Sequence, residues 1–585
     1  MAFLPYIASR LLGRALFRVR HRFIFLGLLL FIPQKAVSDD GSTRWGAEEV
    51  KISPLVTLRN NGYFRLRYNV FYSLDLGSNG ASGFKPPLEN SSANQSLQLS
   101  GSVVEQAMIR LRYEPEILVG EVLKIGTRID FFDNMVFGSS PTFDRIQAPF
   151  PIFARRQDPL YSFRDTIAIK AAFADLRIFK RIHMYGGRMP EHFGLGILRN
   201  SGSALDSDFG DHIDCIFFKL NLPKAFFRVG MEFPGEGATQ ESPLSRKAEP
   251  HDLDQFDDIQ RWVLVFDTIP VEPEQIKKRY EALYKKREIV WDLAMYHAIT
   301  KQSLSSEKTN KGLAKSLGGA CQDVGSQIPV AVDYNCIALS PRGAFFWTPS
   351  FWGRVLYRPK LGLSLRLEGE IAMVYGHIDH TQNFLNIRNF KTRKEFFGIG
   401  AALETEIDYF RNNFRFYTGV ATGDDDAHAF GVLDSNIINE PDDEKYKAEV
   451  AKGTSRMPNS TVTAFMFNRD YRIDSILFRE VIGAVTNAFY FYPSYRRVFY
   501  RSADVTFGAG LGVLFAFATN TGGTPSGHRA LGVESSVEAF LKVAPSLLLK
   551  ANGAFLLPFS GLRAVGATGN PDPAVALRLS LFVKF

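Results

Sequence analysis

The sequence of 585 residues predicts an all-β fold: a transmembrane antiparallel β-barrel of about 18 strands, with short turns at one end and long loops at the other. Three observations predict it. Apolar and polar residues alternate with period two along many segments. The connections between those segments alternate between short and long. The chain also ends on an alternating apolar strand whose last residue is Phe585.

Residues 1–38 read as a secretory leader. Arg10, Arg14, Arg18, Arg20, Arg22 and Lys35 accompany no acid; the apolar run Phe23–Ile32 precedes the small residues Ala36-Val37-Ser38. Cleavage near Ser38 follows from that order. The apolar run is shorter than the ~20 residues a spanning helix needs. A mitochondrial presequence is the rival reading, because the segment is Arg-rich, but the compact Leu/Phe block favours export. Without those six positive charges the formal net charge of +8 falls to +2, so the basic balance gives no reason to expect a nucleic-acid partner. Residues 39–62 are read as a periplasmic segment and 63–585 as the barrel.

The barrel pattern is set by residues 63–76. Phe64, Leu66, Tyr68, Val70, Tyr72 and Leu74 alternate with Arg65, Arg67, Asn69, Phe71 and Ser73, placing one set on each face of a strand. Similar alternation runs through 361–371, 397–409 and 505–517. Segments 165–179, 211–221 and 260–269 alternate poorly and are placed by spacing. Short joints are expected at 114–117, 179–182, 221–224, 358–360, 411–413, 499–502 and 544–546. Long polar connections are expected at 77–103, 132–164, 189–210, 234–259, 300–349, 377–392, 423–483, 519–528 and 558–573. One enlarged short-side joint, 270–287, contains a predicted helix over 274–286 with Ile276, Tyr280, Leu283 and Tyr284 on one face. A soluble sandwich has no reason to sort its loops by length onto opposite ends. The many Phe and Tyr residues, 51 and 21, suit aromatic girdles at two membrane interfaces. In the last strand, Val583 and Phe585 complete an apolar row that resembles the closing-strand signal of outer-membrane proteins, read by the barrel-assembly machinery.

Two further segments resemble an uncharacterised, porin-like family of outer-membrane barrels from myxobacteria and related deltaproteobacteria. One is Gly187-Arg188-Met189-Pro190, then His192-Phe193-Gly194-Leu195-Gly196, followed by Asp208, Gly210 and Asp211. The other runs from Phe467 to Asp474, through Leu477-Phe478-Arg479-Glu480, to Thr486-Asn487-Ala488. The resemblance implies a barrel in the envelope, in contact with outer-membrane lipid and lipopolysaccharide. It supplies no reaction or substrate.

The inward faces predict a site. Arg65, Arg67, Arg110, Arg112, Lys124 and Arg128 form a basic wall on strands 1–3, with Asp130 as the one acid. Glu368, Glu370, Glu404, Glu406 and Asp408 form an acidic wall on strands 11 and 12, with Arg366 as the exception. In a ring of 18, strand 2 lies opposite strand 11. Opposed charged walls predict a wet lumen with a transverse field that filters solutes. The alternative is a lumen plugged by loops that pair with these charges. The expected function is a porin-like channel for passive diffusion of small hydrophilic solutes. The second reading is a non-conducting surface protein whose long loops bind a partner.

Other candidates point less far. Acidic clusters occur at Asp206, Asp208 and Asp211, at Asp424–Asp426, and at Asp442, Asp443 and Glu444; without calcium-loop spacing they read as solvated loops. His377, Asp379 and His380 read as a polar loop tip. A disulfide is expected between Cys321 and Cys336, with Cys215 as a small buried hydrophobe. No catalytic motif, metal site or cofactor signature is found. Porins are often homotrimers, but no trimer face stands out.

Overall fold

The computed structural model describes residues 48–51, 55–77, 103–136, 167–179, 181–235, 259–309, 320–321, 336–380, 393–424, 461–563 and 569–585. The expected leader lies outside them, as do Asp425, Asp426, Asp442, Asp443 and Glu444.

Eighteen strands make the wall. β1 is Gly62–Tyr72, β2 Val103–Tyr113, β3 Leu123–Val136, β4 Ile167–Phe179, β5 Ile182–Pro190 and β6 His212–Asn221. β7 is Phe226–Gly235, β8 Ile259–Asp267, β9 Val290–Thr309, β10 Cys336–Lys360, β11 Leu363–Ile378 and β12 Lys394–Tyr409. β13 is Asn412–Ala421, β14 Ala488–Arg501, β15 Val505–Phe517, β16 Ala530–Val543, β17 Leu547–Pro558 and β18 Ala574–Lys584. Each pairs antiparallel with the next. β18 returns to β1, from Val575 opposite Tyr72 to Lys584 opposite Tyr63, and closes the ring. Among the described residues no helix is long and apolar enough to cross a membrane.

Closure leaves the 18-strand wall without an edge, the condition for a β wall in lipid, where each unpaired backbone group costs several kcal/mol. The terminal residue takes part. Phe585 donates its N–H to the Gly62 carbonyl at 3.1 Å and accepts from the Gly62 N–H at 2.9 Å. Gly62 is required there, since a Cβ would lie 2.5 Å from the Arg112 carbonyl oxygen and from the Phe585 ring.

The two faces are inverted relative to a soluble protein. In β1, Arg65 and Arg67 are only 1% and 2% exposed, while the alternating Tyr68 and Tyr72 are 37% and 48% exposed. The apolar face therefore points outward to lipid. Exposed aromatics gather towards the strand ends: Tyr72, Tyr375, Phe397 and Phe489 near the long connections, Phe179, Phe227, Trp291 and Tyr409 near the short turns.

Some expected boundaries shift. β9 and β10 run well into the expected 300–349 loop, so this hairpin is far longer than the 9–11 residues that span a bilayer. The expected joint at 114–117 is larger: a short strand, Glu116–Val119, pairs with Val56–Asn60, itself paired with Glu48–Lys51, and extends the wall beyond β3. The predicted helix forms as Pro273–Glu281 (α1), continued by a π turn at Ala282–Lys286. Arg279 ties α1 to the buried Asp292 of β9.

Candidate functional site

Two segments leave the long-connection end of the wall and fold into the lumen. One joins β5 to β6 (191–211); the other precedes β14 (463–487). The second carries apolar residues that an outer loop could not bury in water. Phe465, Phe467, Ile476, Leu477 and Phe478 are all nearly inaccessible, packed in one cluster with Ile197 of the first segment and Leu514 and Leu556 of the wall. Burying side chains of this size stabilises by about 1.5–3 kcal/mol each.

Hydrogen bonds interlock the pair. Asp470 accepts from the backbone N–H groups of Asp208 (2.9 Å), Phe209 (3.1 Å) and Gly210 (2.7 Å). Asn468 donates its backbone N–H to Ile197 at 2.7 Å and its side-chain amide to Asp211 at 2.9 Å. The first segment also doubles back on itself there, and that approach needs glycine. Gly202 and Gly210 have φ of +63° and +75°, and a Cβ on Gly202 would meet the Gly210 Cα at 2.6 Å.

Wall carboxylates anchor both segments. Glu370 of β11 accepts from the N–H groups of Gly196 (3.0 Å) and Ile197 (3.3 Å). Glu534 of β16 accepts from Ser475 (2.8 Å), Ile476 (3.1 Å) and Leu477 (2.9 Å). Each satisfies backbone donors that would otherwise be orphaned inside the protein.

Arg65, Arg67, Arg110 and Arg112 of the expected basic wall are buried on β1 and β2, where open water does not reach them. Asp208 meets Arg65 at 2.8 Å, Arg67 at 3.0 Å and Arg472 at 2.7 Å. Asp206 meets Arg67 at 2.8 Å and Arg479 at 2.6 Å. Arg110 donates to the Ser207 carbonyl and to Asp133 (both 2.7 Å), and Arg112 to Asp130 (2.6 Å) and the Gly202 carbonyl (2.8 Å). Arg128 holds Glu114 and the Ser201 carbonyl, while Lys124 pairs with Glu116 at 2.6 Å. Charges at this depth persist only when paired, because desolvation costs several kcal/mol per ion. Burial pushes the Asp208 carboxyl up, yet Arg67, Arg472, Arg65 and Arg479 together hold it well below the usual carboxylate range. Asp206 behaves alike, through Arg479, Arg67, Arg578 and Arg472.

The acidic wall is organised by Arg366, the residue out of pattern. It bonds Glu368 (2.6 Å), Glu404 (2.8 Å) and Glu406 (3.1 Å). Glu368 also accepts from the Trp352 indole at 2.9 Å, Glu404 from Tyr471 at 3.2 Å, and Asp408 from Ser364 at 2.9 Å. The two walls therefore do not face each other across open solvent at the level of Arg65 and Glu370. The first segment supplies the counter-charges of Arg65 and Arg67, whereas Arg366 of the wall itself supplies those of Glu368, Glu404 and Glu406.

Other expectations change with this geometry. Asp206, Asp208 and Asp211 are not a solvated outer cluster; they lie inside the barrel. Asp424 is buried and accepts from the Thr463 N–H at 2.8 Å. Asp379 pairs with Arg393 at 2.9 Å. Cys215 is a buried free cysteine. The backbone sets Cys321 directly opposite Cys336. Strand logic missed Asp470, Arg472, Arg479 and Glu534. The available signal was the run of large apolar residues in 463–487 interspersed with Arg and Asp, which is wrong for a loop in water.

A comparison with family models finds no match, and no curated protein matches the chain. Among solved structures, the chain is similar to OccK11 (OpdR) of Pseudomonas aeruginosa, at 9% identity and TM-score 0.42 over 90% of this chain and 96% of that one. A BenF-like porin from Pseudomonas fluorescens Pf-5 has 9% identity and TM-score 0.42 over 90% and 98%. OccAB3 of Acinetobacter baumannii has 9% and 0.43 over 90% and 99%. Likenesses this distant carry no argument, and the barrel rests on its own strand register.

Proposed function

We propose that the chain is an outer-membrane channel of a Gram-negative envelope, narrowed midway by two interlocked inward segments, through which small hydrophilic solutes diffuse passively. One observation carries the reading: towards the short-turn end the inner face is charged and partly wet. Arg366, Glu406, Arg496 and Glu538 keep 30%, 23%, 32% and 27% of their side chains exposed on a face that cannot be lipid. Water therefore reaches the lumen below the crossing, as barrels of this strand number usually allow. The basic and acidic walls then act at one remove, fixing the segments that set the aperture. The leader cleaved near Ser38, assembly through the terminal Val583 and Phe585, and a Cys321–Cys336 disulfide belong to the same reading. Lipid, lipopolysaccharide and the barrel-assembly machinery are its proposed partners.

The covered basic wall favours a second reading, a plugged barrel that anchors its long loops for a binding role. Single-channel recording of purified protein in a planar bilayer separates the two. Steady ohmic conductance is expected for the channel, and a folded barrel with no current would establish the plug.

A further inference from the structure

Charge is spread unevenly round the short-turn rim. On the β2–β4 side the cations have acids: Arg128 has Glu114, Lys124 has Glu116 at 2.6 Å, and Arg177 has Glu121 at 3.4 Å. The turns from β12 to β15 differ. Residues 409–412 and 497–505 carry three exposed arginines, Arg411, Arg497 and Arg501, against one acid, Asp504. Among the described residues none of the three pairs with a carboxylate. Asp408, close by in sequence, is held by Asn413 at 2.7 Å and Ser364 at 2.9 Å. Two positive charges are therefore in excess.

The strand register brings Arg411 and Arg497 together. Arg497 lies directly opposite Asn412, and Val498 donates its N–H to the Arg411 carbonyl at 2.8 Å. Arg411 Nη1 donates to the Phe499 carbonyl at 3.2 Å. Arg497 continues the outward row of Phe489, Phe491 and Tyr495, which alternates with buried Tyr490. Around the arginines Phe410, Phe499 and Tyr500 are 66%, 51% and 56% exposed. Aromatic rings left open at the ends of lipid-facing strands mark the head-group level of a bilayer. A guanidinium at that level has lipid phosphate within reach, and the protein offers these two no counter-charge.

We propose that this part of the rim binds a phospholipid of net negative charge, its phosphate on Arg411 and Arg497. Guanidinium forks match phosphate oxygens, and the acyl chains would run along outward Phe414 and Phe416 of β13. A zwitterionic lipid returns a cation to a rim already in positive excess. The site gives a head group to the lipid partner above. It rests on the lipid-facing wall and stands whether or not the lumen conducts.

The full-length barrel is folded into bilayers of equimolar phosphatidylglycerol and phosphatidylethanolamine, extracted in mild detergent and read by native mass spectrometry. Phosphatidylglycerol should be retained over phosphatidylethanolamine by about fivefold or more, the change in partition that one cation near an anionic surface supports. Arg411→Gln/Arg497→Gln should lower that ratio by about fivefold. Lys224→Gln/Lys278→Gln removes the same charge elsewhere on the rim and should lower it less than twofold. All variants are checked for the heat-modifiable mobility of a folded barrel, and Arg411→Gln alone, in a turn, is read in the same way. Equal retention of the two lipids by the unmodified protein, or the same fall in both double variants, overturns the proposal. So does capture of soluble polyglutamate by a barrel without lipid preference, which would assign the rim to an acidic soluble partner.

Discussion

Replacing Asp208 with Asn tests whether the inward segments set the aperture. The carboxylate is bonded to Arg65, Arg67 and Arg472 at 2.7–3.0 Å, and the Arg65 and Arg67 side chains are 1% and 2% exposed. An amide of the same shape keeps the packing and removes the charge. Breaking a buried pair from one side costs about 3–5 kcal/mol, because the partner charge is left uncompensated. At about 1.4 kcal/mol per tenfold, the docked position of 191–211 weakens by about a hundredfold to a few thousandfold. The wall should survive, since closure of the ring does not involve Asp208. The expected result in a planar bilayer is a larger or more frequently open conductance, with heat-modifiable mobility unchanged. A double-mutant cycle with Arg472→Gln should show non-additivity of about 0.5–3 kcal/mol, the range for residues in direct contact. A folded Asp208→Asn barrel whose current matches the parent would refute the argument, showing that the segment is held elsewhere or lies off the conduction path.

Deleting Phe585, or replacing Val583 and Phe585 with Asp, should abolish assembly, because the last rung of closure lies at Gly62 and a charge would face lipid at Val583; accumulation of heat-modifiable protein would contradict this. Cys321 and Cys336 are direct antiparallel partners, a position with Cα atoms about 4.5–5.5 Å apart and within disulfide reach. Mass spectrometry of exported protein should find them linked, with up to ~3 kcal/mol of stabilisation on the chain-entropy model; two free thiols would end the idea. Asp206 and Asp208 are held below their unfolded values. Their contribution is complete above the unfolded carboxylate pKa of about 3.9 and is lost only as pH falls through the lower folded value. The effect of Asp208→Asn on the current should therefore be the same at pH 7 and at about pH 5; an effect that disappears at the lower pH would show that the arginines do not hold Asp208 charged.

The sequence by itself determined the wall. Lipid on one side and a polar interior on the other force a period of two, so Arg65 and Arg67 against Tyr68 and Tyr72 disclose which face is which. Sorting of connections by length then gives the strand number, and Phe585 the point of closure. The poorly alternating β4, β6 and β8 still found their places, because ring parity constrains each strand through its neighbours. Helix α1 was legible from its own spacing. Only the tertiary structure decided what fills the ring. A residue that faces the lumen reads the same in sequence whether it meets water or a folded-in loop, since both accept charge. Arg65 and Asp208 are separated by more than a hundred residues, and no periodicity links them. Nor could strand register show that Asp470 would bind the backbone of 208–210. That contact depends on two connections entering the same lumen, with Gly202 and Gly210 letting the first double back on itself beside Asp470. Local alternation is imposed by the lipid boundary and is therefore written along the chain, whereas the aperture is set by long-range charge pairing inside a closed wall and exists only once the wall has closed.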